Sequence, residues 1–398
     1  MPRIQVDQLL DPEWDALWTL LIGPRRAGKT TLGRWLAKRL LEGGRFSELL
    51  YLNCDYLSIR QWLTSPTFIA EAMETFSLKR PILFIDEVQR LKSPGLLLKA
   101  IIDLALPIKL IATGSSQLEI RSHVQEFLTG RQLSSLILPL SYQERGDYPL
   151  DQALIYGAYP QVVLSKKKEM QIGQIYERYI QKDIVEILKL GHPDIFQTLL
   201  GLLAHSSGQL VHQNQLAADC RVSTSMIQNH LDVLEQTFVL AKVTPFVGNK
   251  RTEITRTPIY YFLDNGFRNT ALRNYAPPEN RADLGFLVES LVFQELYKHI
   301  TQRYLPFTLH YWRTKSGAEV DFVAYQNADN LLPIEVKYQR FDRPTVSRGF
   351  RSFIEAYHPK MGVIVTRDFV GRTQIDGCDV HFVPLTQLES VLRLLAAA

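Results

Sequence analysis

The sequence predicts an α/β chain that opens with a parallel sheet, passes through helices, and ends in a second, mixed α/β region. Three observations point there. Short apolar runs alternate with helical periodicity over residues 17–138. A glycine-spaced turn sits between the first run and the first helix. Strand patterning returns near Ile259.

The runs Leu17–Ile22, Leu49–Asn53, Ile82–Ile85, Ile108–Thr113 and Leu133–Leu138 read as buried strands. Thr30–Leu41 and Pro94–Leu104 read as helices between them. Such alternation predicts parallel strands with helices on both faces. The pattern changes near Asp147–Pro149 and is helical from about Leu150 to Leu190. It breaks again at Gly191, His192 and Pro193. The organisation read from these breaks is 1–148, 149–194 (a helical lid or linker), 195–257 and 258–398.

At 398 residues the chain is too long for one ordinary core. Its net charge of +4 permits nucleic-acid binding without arguing for it. Cys54, Cys220 and Cys378 match no zinc spacing and no disulfide framework, so a reducing, cytoplasmic location is expected. No signal peptide and no membrane span are read. The longest candidate span, 96–113, is broken by Lys99, Asp103, Pro107 and Lys109.

The chemistry begins at Gly23-Pro24-Arg25-Arg26-Ala27-Gly28-Lys29-Thr30, a full G-x-x-x-x-G-K-[ST] pattern between a strand and a helix. Gly23 and Gly28 let the backbone curl so that successive N–H groups face phosphate oxygens, and the helix N-terminus adds positive potential. Lys29 is placed to reach the β- and γ-phosphates. The Thr30 hydroxyl is placed to ligate Mg2+; Thr31 completes the nucleotide-binding run. Ile82-Leu83-Phe84-Ile85-Asp86-Glu87 is a buried strand with two carboxylates at its C-terminal end, where open α/β sheets bind ligands. Asp86 is the expected metal partner, and Glu87 the residue that orients the attacking water. A third strand ends in Thr113-Gly114-Ser115-Ser116. Ser115 is the candidate there for contact with the γ-phosphate or the water. The cofactors expected are ATP and Mg2+.

These motifs, with Leu128-Thr129-Gly130-Arg131, Leu138-Pro139-Leu140-Ser141-Tyr142 and Tyr156-Gly157-Ala158-Tyr159-Pro160, resemble a prokaryotic family. In it an AAA-type ATPase is fused to a C-terminal DUF4143 region. Tyr261-Phe262-Leu263-Asp264, Arg313-Thr314-Lys315-Ser316-Gly317 and Glu319-Val320-Asp321-Phe322 carry the resemblance onward, over nearly the whole chain. The resemblance implies an ASCE-type P-loop NTPase sheet with a catalytic glutamate. It also implies a homo-oligomer, a hexameric ring among its forms, in which an arginine serves the neighbour's γ-phosphate. Arg131 matches the family position, with Arg121 behind it; a plain surface role is the competing reading.

Ser206–Val247 has the order of a winged helix-turn-helix: a helix over 213–218, a turn, a longer helix capped by Ser223, then a strand. The second helix is expected to present Ser223, Thr224, Ser225, Gln228 and Asn229 outward, side chains suited to phosphates and base edges. Lys250 and Arg251 lie in the loop beyond. The alternative is a protein-binding or purely structural module.

The last region carries a carboxylate–lysine set. Glu289 is on a helix, Asp321 on a strand, and Glu335 and Lys337 share one face of the next strand. This is the arrangement of the restriction-endonuclease-like fold, in which such groups bind magnesium and orient water. Glu319 is read as an exposed neighbour on the opposite face, or a substitute ligand. Tyr311, Trp312, Arg313 and Lys315 are placed to approach nucleic acid. Live cleavage and DNA binding without cleavage both remain open.

The reading is therefore an ATPase acting on DNA, branched or otherwise structured, with a nuclease-like domain. The alternatives are a nucleotide-dependent protein-binding switch, or a protein remodeller with an inactive nuclease-like scaffold.

Overall fold

The computed structural model describes residues 3–15, 17–115, 132–184, 193–248 and 257–397. The chain divides into two compact units. One comprises Met1–Pro139 with Gln236–Phe238; the other comprises Leu140–Glu235 with Val239–Ala398. Arg131, its alternative Arg121, and the pair Lys250 and Arg251 lie outside the described residues.

The first unit is built on a five-stranded sheet of β1 (Trp18–Ile22), β2 (Leu49–Asn53), β3 (Ile82–Asp86), β4 (Lys109–Gly114) and β5 (Gln132–Leu136), in the order β2-β3-β4-β1-β5. Every pairing is parallel. β3 and β4 are buried at every position, as unbroken apolar runs require when helices cover both faces. One face packs Leu20, Leu83, Ile85, Leu98 and Ile101; the other packs Leu21, Leu36, Leu40, Phe84 and Ile111. β4 lies between the strand that leads into the glycine turn and the acidic strand, which is the ASCE arrangement. That order sets the ends of β1, β3 and β4 side by side.

The second unit begins with helices Leu150–Tyr156, Pro160–Leu164 and Lys168–Tyr176, followed by a π-helical turn, Glu177–Ile184. Helices Pro193–His205, Gln213–Cys220 and Thr224–Gln236 come next. An eight-stranded mixed sheet then runs in the order β12-β13-β11-β10-β9-β8-β6-β7. Its strands are β6 (Leu240–Pro245), β7 (Ile259–Phe262), β8 (Thr308–Arg313), β9 (Glu319–Tyr325), β10 (Leu331–Lys337), β11 (Met361–Thr366), β12 (Gly371–Ile375) and β13 (Cys378–Pro384). β6 pairs antiparallel with β7, across the position where the sequence pattern divides 195–257 from 258–398. β6 also pairs parallel with β8, at Thr244 and Pro245. The hairpin that follows the helical module is thus an edge of the C-terminal sheet.

Within that sheet β8, β9 and β10 form an antiparallel meander, and β11 joins β10 in parallel after a crossover helix, Arg348–Tyr357. The crossover helix buries Phe350, Phe353 and Ile354 against Trp312, Val320, Val323 and Phe382. Helix Leu284–Gln302 supplies Phe293, whose ring stacks on Tyr261 with centroids 4.4 Å apart. Phe353→Ala is expected to destabilise this unit by about 3–5 kcal/mol, the cost of a large unfilled core site, read as a lowered urea midpoint.

Candidate functional site

The turn after β1 is shaped by its glycines. A Cβ on Gly23 would fall 1.9 Å from the Ile137 carbonyl oxygen, so only glycine fits there without moving backbone. Gly28, at φ 98°, caps helix Lys29–Glu42 in the left-handed region. Between them, the Lys29 ammonium folds back to donate to the carbonyls of Gly23 and Pro24, 2.9 Å from each. Burial lowers the Lys29 pKa to about 8, although the carboxylates of Glu87 and Asp86 pull it the other way. The lysine is a buried cation at the centre of the loop whose hydrogen bonds among the described residues go to carbonyls, where a polyanion would complete its shell.

Asp86 ends β3 and is itself buried. Three hydroxyls satisfy its carboxylate. Thr30 donates at 2.9 Å, Tyr51 donates at 2.8 Å, and Thr113 donates from the neighbouring strand. The predicted pair of Thr30 and Asp86 is therefore in direct contact. Tyr51 was not foreseen from sequence. It lies on β2, accepts from Arg34 at 3.0 Å, and has its pKa raised by burial and then by its bond to Asp86.

Glu87 adopts φ 59°, a left-handed conformation costly for a non-glycine residue. The Thr113 hydroxyl accepts from its backbone N–H at 3.0 Å. Its carboxylate accepts from the Gln89 amide, which also donates to the Ser115 hydroxyl at 2.8 Å. The Ser115 N–H returns a bond to Gln89 Oε1 at 3.3 Å. Ser115 and Glu87 are thus brought together through Gln89, a second residue that spacing alone did not single out. The oxygen donors Thr30 and Asp86 fit a hard divalent cation. Among the described residues no three His, Cys, Asp or Glu side chains form a ready-made metal set.

In the second unit, a cavity of about 440 Å³ is lined by Glu289, Asp321, Glu319, Arg313 and Tyr261, with Gly208 of the helical module at its wall. Tyr261 donates to Glu289 at 2.6 Å, and the Val336 N–H donates to Asp321 at 2.7 Å. Burial raises the pKa of both acids above the carboxylate range, and Asp321 adds to the effect on Glu289. Glu335 is tied to Lys337 at 3.0 Å and accepts from Ser347, the cap of the crossover helix, at 3.0 Å. Burial works against the Lys337 charge, yet Asp321 and Glu335 outweigh it and raise its pKa. The predicted pairing of Glu335 with Lys337 on one strand face is present.

Glu319 lies on the face of β9 opposite the buried Val320 and Phe322, as expected; it shares that face with Asp321, lines the same cavity and binds the Arg313 guanidinium. One expectation is corrected here. Tyr311 and Trp312 are buried in the sheet, and Trp312 packs on Phe353, so neither offers an open stacking face. In the helical module, Ser223, Thr224, Ser225 and Asn229 are exposed as expected. Gln228 is half-buried instead, held between Gln213 and Asp232.

Comparison with known proteins matches three segments of the chain. Residues 16–146 match a family model described as an AAA domain. Residues 148–277 match a domain of unknown function, DUF8612, and residues 284–388 match another, DUF4143. The AAA and DUF4143 parts of the expected resemblance are thus both found; the DUF8612 segment was not anticipated. An uncharacterized protein of Mycobacterium tuberculosis is 25% identical over 340 residues, covering 84% of this chain and 72% of its own. One from Methanocaldococcus jannaschii is 26% identical over 380 residues, covering 83% and 77%. Among solved structures, a Thermotoga maritima RuvB variant aligns at TM-score 0.32 and 18% identity, over 69% of this chain and 93% of its own. DnaA bound to AMPPCP and single-stranded DNA aligns at TM-score 0.32 and 14% identity, over 58% and 86%. No helix among the described residues is long and apolar enough to cross a membrane.

Gly23→Ala is expected to lower the melting temperature of the first unit. The methyl group meets backbone and not a movable side chain, so the cost reaches or exceeds the roughly 1–3 kcal/mol of ordinary overpacking. Differential scanning calorimetry reads it directly.

Proposed function

We propose that this chain binds and hydrolyses ATP with Mg2+ and uses that cycle to act on DNA. The observation that carries the nucleotide half is the contact of Thr30 with Asp86 beside the buried, folded-back Lys29. On this reading the loop 23–31 cradles the phosphates with its backbone N–H groups, all but that of Pro24, which has none, and Arg25 and Arg26 belong to that loop. Lys29 turns from the loop carbonyls to the β- and γ-oxygens. Thr30 and Asp86 hold the metal, which when bound supplies charge neutralisation for the triphosphate. Glu87 accepts a proton from the attacking water, and Ser115 orients the water or the terminal phosphate.

The DNA half rests on other features. The exposed hydroxyl and amide groups of helix Thr224–Gln236 suit phosphate and base-edge contacts. The meander of β8 to β10, with Asp321 and the Glu335–Lys337 pair, supports a restriction-endonuclease-like domain that grips nucleic acid. Assembly into a homo-oligomer with Arg131 reaching a neighbour's nucleotide rests on the sequence resemblance alone.

Glu87→Gln is expected to reduce ATP turnover by about 10²–10⁴-fold, the usual contribution of a positioned base, while ATP binding persists. Turnover equal to the parent chain removes Glu87 from this role. A parent ATPase rate indifferent to single-stranded, duplex and branched DNA alike removes the DNA half.

A pH dependence also follows. The Lys29 pKa is lowered to about 8, so the ammonium that a triphosphate needs is lost as pH rises through that value. Affinity for ATP is expected to fall above it, approaching about tenfold per pH unit for one required proton. Fluorescent-nucleotide titrations between neutral and alkaline pH measure it; a flat profile would mean that Lys29 stays charged in the loop.

A further inference from the structure

Beyond the glycine loop, the first unit has a second concave surface. A cavity of about 560 Å³ opens between helix Leu57–Trp62, the turn Val88–Arg90 and helix Pro94–Asp103. Its floor is Leu63, Leu91 and Leu97, and its charged lining is Arg60, Arg90 and Lys92, with no acidic residue among the lining groups. Arg60 Nε is buried without a hydrogen-bond partner among the described residues. Arg90 is half-engaged, 3.3 Å from an exposed Asp55. Two large aromatic side chains stand in the open on the flanking segment: Tyr56 is 64% exposed and Trp62 is 41% exposed, its ring resting on Phe68 at 4.4 Å.

From this we infer that the cavity is a binding site for a single-stranded nucleic acid, with Arg60, Arg90 and Lys92 taking backbone phosphates and Tyr56 and Trp62 offering stacking faces to bases. The inference rests on the DNA half of the function proposed above and locates a contact within the ATPase unit. Charge complementarity selects a polyanion. The exposed aromatic rings at the two ends of the helix that carries Arg60 select one with flat π-faces, the combination by which unpaired strands are held without sequence preference. A duplex buries its bases and leaves those rings without partners.

The site is also joined to the nucleotide machinery through the chain itself. Arg90 closes the short turn that starts directly after Glu87, and the same turn carries Gln89, which holds Glu87 and Ser115. A strand that draws on Arg90 pulls on that turn, so occupancy of the cavity and the placement of Glu87 are linked, and the linkage acts in both directions.

The test is fluorescence anisotropy of the full chain with a labelled oligothymidylate of about 16 nucleotides, across a salt series. Arg90→Gln with Lys92→Gln is expected to weaken binding and to flatten the log affinity–log salt slope by about 0.7 per cation removed. Tyr56→Ala and Trp62→Ala are each expected to weaken it about fivefold or more. Tyr56 packs on little, so its variant keeps the test valid if Trp62→Ala loosens the helix. Binding by the parent chain that none of these variants changes overturns the site and leaves the DNA reading standing. No binding of the oligothymidylate by the parent chain overturns the site; the DNA reading falls with it only when the ATPase rate is also indifferent to duplex and branched DNA. Loss confined to the charge variants, matched by loss of a polyglutamate peptide while the aromatic variants stay silent, overturns the nucleic-acid assignment in favour of an acidic protein.

Discussion

The architecture of the first unit turns on one buried carboxylate. Asp86 has left water, and a carboxylate in that position is tolerated only if its lone pairs are met. Three hydroxyls meet them, from the glycine-loop helix, from β2 and from β4. Each sits on a different element, so satisfying one side chain fixes the mutual placement of all of them. The strand order β2-β3-β4-β1-β5 makes this geometry available, because it puts β2 and β4 on either side of the acidic strand. The side-chain donors to the acid among the described residues are neutral hydroxyls.

The neighbouring Glu87 is held quite differently. Its backbone is in a strained region, and its carboxylate is bonded to an amide two residues along. An adjacent pair of acids therefore has distinct environments: one locked into the sheet by three hydroxyls, the other at the start of a short turn and bonded to Gln89. This division between a metal partner held in the sheet and a proton acceptor on a turn accords with the roles proposed for the two residues.

Much of this was legible in the sequence, for identifiable reasons. The glycine loop and the acidic strand end are local patterns, since their spacing follows from backbone curvature and from burial of a whole strand. Glu335 and Lys337 were readable because strand geometry repeats every two residues. The same rule sets Glu319 and Asp321 together on the face of β9 away from the buried Val320 and Phe322. Tyr51 and Gln89 could not be found that way. Their importance comes from contacts across strands or around a turn whose shape no local pattern encodes. Tyr311 and Trp312 were misjudged because aromatic residues beside arginine suggest an exposed face, whereas both are buried and the crossover helix packs over Trp312.

The shared strand β6 has a further consequence. It belongs at once to the hairpin after the helical module and, through β8, to the larger sheet. A fragment starting at residue 258 would keep β7 but lose β6, baring the β8 edge and leaving β7 without its partner. Unpaired edges of that kind invite intermolecular pairing. A cut at residue 258 would therefore expose strand edges on both sides of it, whereas a boundary beyond β7 keeps the β6–β7 pair whole.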